Sequence, residues 1–99
     1  MDNEMKDLLI STLLLVRDKP AMFMAEGQSA IINFFLGFDL ALKVCGYYTL
    51  KEDLYFHTLS TRGWGSNTIE AVNKMVDKGL TQEEIARELI TIRIIVLNK

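Results

Sequence analysis

Between Gln28 and Cys45 the chain reads QSAIINFFLGFDLALKVC, with Gly27 before it and Gly46 after it. Ile31, Ile32, Phe34, Phe35, Leu36, Phe38, Leu40, Leu42 and Val44 leave only Asn33, Asp39 and Lys43 as strongly polar positions. The run is too long for one strand, and a glycine at its end suits a helix C-cap. A helix apolar nearly all round must be covered on several sides, so it predicts the central helix of a bundle. Gly37 in its middle costs roughly 1 kcal/mol against alanine. Close approach of a neighbouring element would explain that cost.

The other segments fit the same architecture. Met5, Leu8, Leu9, Thr12, Leu13 and Val16 share one face of a helix running from about Asn3 to Val16. Lys19–Pro20 ends it, because the residue before proline avoids helical backbone. A third helix spans about Leu50 to Thr61, with Thr49 as cap and Glu52 and Asp53 in the first turn, where the helix dipole favours acids. RGWGSN breaks the chain. Ser66 or Asn67 then caps a fourth helix to about Lys78, with Ile69, Val72, Met75 and Val76 as its stripe. Thr81 and Glu84 form a capping box that opens a fifth helix to about Leu97. There ITIRIIV is rich in β-branched residues and alternates partly like a strand. The cap and the stripe Ile85, Leu89, Ile92 and Val96 favour one continuous helix, with a terminal strand as the alternative. The chain is expected to be one all-α domain over residues 1–99, a bundle of about five helices around a central apolar one.

LTQEEIAREL, Leu80 to Leu89, resembles the first helix of a helix-turn-helix. That motif needs a short turn and then a polar recognition helix for base edges. Here ITIRIIVLNK follows, with no glycine turn and no recognition helix. Arg93 and Lys99 alone cannot supply both base readout and phosphate contacts. An ordinary capped helix docking on the core is the better reading.

Charge and composition narrow the function. The 99 residues carry 13 acidic and 11 basic side chains, a net charge of -2, without the basic face of a nucleic-acid binder. The single cysteine, Cys45, excludes an internal disulfide and fits a reducing compartment. MDNEMKD is acidic where a secretory signal needs positive charge. DLLISTLLLV is about half the ~20 residues of a membrane span. A cytoplasmic location is expected.

No set of residues reads as catalytic. Cys45 could pair with His57, the only histidine, but a thiol on an apolar helix is normally inert packing. One histidine and one cysteine do not make a zinc site, and GWGSN lacks the lysine and preceding strand of a phosphate loop. No metal, no cofactor and no enzymatic activity are expected. Trp64, between Gly63 and Gly65, either folds back onto the core or anchors a partner, and the core role is favoured. Tyr47, Tyr48 and Tyr55 gather around Glu52 and Asp53, a combination suited to recognising a basic protein. Glu83, Glu84 and Glu88 form the second acidic surface.

RDKPAMFM, SAIINFFLGFDLAL and the later GW resemble the pattern of small immunity proteins from bacterial contact-dependent growth inhibition and polymorphic toxin systems. Arg17, Pro20, Met22, Phe35, Leu36, Gly37, Phe38, Ala41, Gly63 and Trp64 stand at the matching places, across roughly residues 17–72. Ala21 and Phe23 replace a glycine and a tyrosine, and Phe38 replaces a tyrosine. The resemblance implies a protein that binds the toxin domain of its own system and covers its active site. Many such toxins are nucleases, ribonucleases among them, with basic clefts. A modestly acidic inhibitor suits that partner. The expected contact residues are Tyr47, Tyr48, Glu52, Asp53 and Tyr55. A small DNA-binding regulator and an interaction subunit of another complex are the alternatives.

Overall fold

A computed structural model describes residues 3–46 and 52–99. Helices α1 (Asn3–Asp18), α2 (Gln28–Val44), α3 (Glu52–Thr61), α4 (Thr68–Asp77) and α5 (Gln82–Leu97) make an all-helical domain. Among the described residues there is no strand. The Cα radius of gyration, 12.8 Å, is that of a packed chain of this length. No helix among the described residues is long and apolar enough to cross a membrane.

The turn chemistry read from the sequence is what ends these helices. Pro20 occupies the first turn of a short 3-10 helix, Pro20–Met22, where its missing N–H costs nothing. Past α3, the Gly63 N–H donates to the Ser60 carbonyl and the Trp64 N–H to the Leu59 carbonyl, at 3.0 and 2.9 Å. This is a Schellman motif, and it needs the left-handed backbone that Gly63 adopts at φ 86°. Gly79 and Leu80 repeat the pattern on Val76 and Met75 at the end of α4. Asn67 caps α4 through Glu70 N–H, and Thr81 with Glu84 closes the capping box of α5.

The central helix is α5. It touches α1, α2, α3, α4 and the Pro20–Met22 turn. Ile85, Ala86, Leu89, Ile90, Ile92, Arg93, Val96 and Leu97 are all buried along it. That settles the conflict in ITIRIIV. β-branched residues lose at most about 0.7 kcal/mol each in a helix against alanine. Burying each side chain contributes about 1.5–3 kcal/mol. Packing therefore outweighs propensity.

Helix α2, expected at the centre, lies at the side. Only Ile31, Phe35 and Leu42 are buried on it. Leu36, Leu40 and Val44 are 43%, 61% and 79% exposed. α2 packs on α4 and α5 along one stripe, and no described element covers its opposite face. The close approach expected at Gly37 is also absent, because a Cβ added there would meet nothing within 4 Å. Cys45, expected to be packed inside, is exposed at the C-cap of α2.

Two pairs of long-range hydrogen bonds hold the periphery to the centre. Gln82 on α5 accepts from the Gly27 N–H at 2.9 Å and donates to the Ala25 carbonyl at 2.8 Å. Arg87 Nε donates to the Arg17 carbonyl at 3.1 Å, and Arg17 Nη1 to Thr91 Oγ1 at 3.3 Å, tying α1 to α5.

Candidate functional site: an apolar groove with carboxylates

The uncovered face of α2 forms one wall of a groove that α3 and α4 complete, with a volume of about 300 Å³. Leu36 and Leu40 stand on the α2 side, Ile69 on the α4 side and Phe56 on the α3 side. Ile69 is half exposed, since the stripe of α4 turns Ala71, Val72 and Met75 to the core and leaves Ile69 outside it.

Asp39 and Tyr55 lie at its inner side, against a buried cation. Arg93 of α5 is fully buried. Its Nε donates to Asp39 Oδ1 at 3.0 Å, its Nη2 to Oδ2 at 2.7 Å, and its Nη1 to the Leu89 carbonyl at 3.0 Å. The guanidinium lies over the rings of Phe35 and Tyr55, 4.4 and 4.6 Å from their centroids. Forked hydrogen bonds and cation–π contacts together stand in for the water this charge has lost.

Glu52 and Lys43 are the other two charged groups of the lining. Glu52 is half-buried in the first turn of α3 and makes no ion pair among the described residues. Lys43 stands on α2, one turn beyond Asp39.

The expected contact residues are thus separated by the fold. Glu52 borders the groove, while Asp53 is exposed and outside its lining. Tyr55 is a core residue: it is 2% exposed, its ring covers Arg93, and its hydroxyl lies 2.5 Å from Thr68 Oγ1. One turn of helix places it three residues after Glu52, on the inward side, so it cannot lend its ring to a partner. Tyr47 and Tyr48 lie outside the described residues.

The second acidic surface is engaged within the chain. Glu84 is spent on the capping box, and the Thr81 backbone N–H holds its carboxyl below the ordinary range. Glu83 pairs with Arg87 at 3.5 Å. Glu88 accepts from Arg62 Nη2 at 2.8 Å, Arg62 Nε at 2.9 Å and Trp64 Nε1 at 2.6 Å. Burial penalises the Glu88 charge, yet the bonds from Arg62 and Trp64 outweigh it and keep its carboxyl below the usual carboxylate value. Trp64 is 9% exposed and belongs to the core, the role preferred from its sequence setting. His57 and Cys45 are both exposed, on α3 and at the end of α2. Among the described residues no group of three or more acids, histidines or cysteines is placed to hold a metal ion.

Sequence reasoning missed Leu36, Leu40, Phe56 and Ile69 as surface residues and Asp39 as the partner of Arg93. One signal was present. α2 is apolar all round, and a 99-residue chain has few elements with which to cover it.

Fold and groove define a five-helix domain whose most apolar helix, α2, keeps one face uncovered. No protein-family model, curated protein or solved structure matches the chain.

Proposed function

We propose that this chain is an immunity protein, which binds a toxin domain and neutralises it by covering its active site without catalysing a reaction. The observation that carries the reading is the exposed apolar face of α2, where Leu36, Leu40 and Val44 stand in water beside the groove. Contiguous apolar surface of this kind, rimmed by charge, marks interaction sites. The likeness of Arg17 to Val72 to immunity proteins supplies the kind of partner. Acids at Glu52 and Asp53 and a net charge of -2 suit a basic nuclease cleft, such as that of a ribonuclease, in the cytoplasm.

A DNA-binding regulator fits less well. α5, which carries LTQEEIAREL, turns its apolar length inward, and its exposed start bears Glu83 and Glu84, which repel phosphate.

The test is co-production with the toxin domain encoded directly upstream of this chain's gene. Cells should survive the toxin only when this chain is present, and the two proteins should co-purify. An upstream gene without a toxin domain, or equal killing with and without the chain, overturns the reading.

A further inference from the structure

Resting on that reading, we infer that the groove between α2, α3 and α4 receives one basic side chain, a lysine or arginine, from the toxin domain. The groove is amphipathic in the same sense as such a side chain. Leu36, Leu40 and Ile69 present apolar surface to an aliphatic stem, and Glu52 offers a carboxylate to the charged head. Asp39 adds a second carboxylate at the inner side; its side chain keeps 20% of its exposure while Arg93 holds it from behind. Phe56, 37% exposed, adds an aromatic ring of the kind cations favour. Arg93 already uses this chemistry one layer deeper, between Phe35, Tyr55 and Asp39.

Charge and size select the occupant. Arg93 is fully buried and holds both oxygens of Asp39, so among the described residues the charged groups of the lining are this internally paired Asp39, Glu52 and Lys43. An anion would meet both carboxylates. A purely apolar side chain would cover Glu52 and leave its charge without a partner, which is costly. About 300 Å³ is the lower limit for pockets that take small molecules, and it suits one long side chain.

The experiment uses N-acetyl-arginine amide and N-acetyl-lysine amide as probes and N-acetyl-norleucine amide as the uncharged control, followed by nuclear magnetic resonance of the whole chain. The charged probes should give saturable shifts at Leu36, Leu40, Phe56 and Ile69, with the norleucine probe about tenfold weaker, as expected for one charge-assisted contact. Glu52→Gln, which leaves the fold intact, should remove most of that preference. Equal binding of charged and uncharged probes, or shifts confined to other surfaces, overturns the proposal. Toxin protection is scored separately with Leu40→Arg, an exposed substitution that sets a cation in the groove wall. Lost protection in this folded variant supports the proposal. If the unaltered chain protects, Leu40→Arg protects equally and the probes do not bind, the groove assignment falls and the immunity reading stands. If the probes bind as described and no toxin is neutralised, the immunity reading falls and the groove remains a site for a basic side chain.

Discussion

Arg93 and Asp39, 54 positions apart, meet through two nearly parallel hydrogen bonds that join the central helix α5 to α2. Removing one partner leaves a buried charge alone. Asp39→Ala should therefore destabilise the protein by about 3 kcal/mol, the lower end for broken buried pairs, because Asp39 is partly exposed. The double variant Arg93→Met with Asp39→Leu should lose much less than the two single changes combined. Urea unfolding of the four proteins measures this; additive losses would show that the pair acts as two independent side chains.

Trp64 closes the core after the Gly63 turn and donates to ionised Glu88. Trp64→Ala should cost about 3–5 kcal/mol, the usual loss for a large buried aromatic. Trp64→Phe keeps most of the packing and loses the hydrogen bond, so about 1–2 kcal/mol is expected. A Trp64→Ala protein with unaltered melting that fails to bind the toxin would make this residue a contact instead.

Gly37 is helical, exposed and open on the side where a Cβ would stand. Gly37→Ala should stabilise the domain by about 1 kcal/mol, because alanine restricts the unfolded chain and fits the helix. A lower melting temperature in this variant would contradict the open geometry around α2.

Stability should fall in acid through Glu88. Its carboxyl titrates below the ordinary value of 4.5 in the folded protein. A lowered folded value means that its contribution is complete above the unfolded value and is lost as pH falls through the folded one. Unfolding free energies measured from pH 6 down to 2 should decline more steeply for the natural chain than for Glu88→Gln. Parallel curves would remove Glu88 from the acid response.

The acids at the start of α3 should govern association. Glu52 and Asp53 changed together to lysine should slow binding of the toxin by about tenfold or more at low salt. Raising ionic strength should slow binding of the natural pair, since exposed charges are screened beyond about 8–10 Å. Stopped-flow association rates that ignore both changes would place the interface away from α3.

Most helix ends were legible in the sequence, while the helical state of ITIRIIV was decided by its burial in the core. Thr81–Glu84, Asn67, Gly63, Gly79 and Pro20 act within a few residues along the chain, so their effect is legible without knowing the fold. The sequence favoured a core role for Trp64 over a partner anchor, because the flanking glycines let the chain turn back; its burial was decided by the packing of the helices around it. Which helix lies at the centre was settled by contacts between distant segments. α2 is the more apolar, but α5 is the one that α1, α3 and α4 all reach. The same long-range packing turned Tyr55 inward onto Arg93, spent Glu88 on Arg62 and Trp64, and left Leu36 and Leu40 outside. Hydrophobic periodicity says that a face must be covered; only the arrangement of the other helices says which part of it is covered by the chain itself.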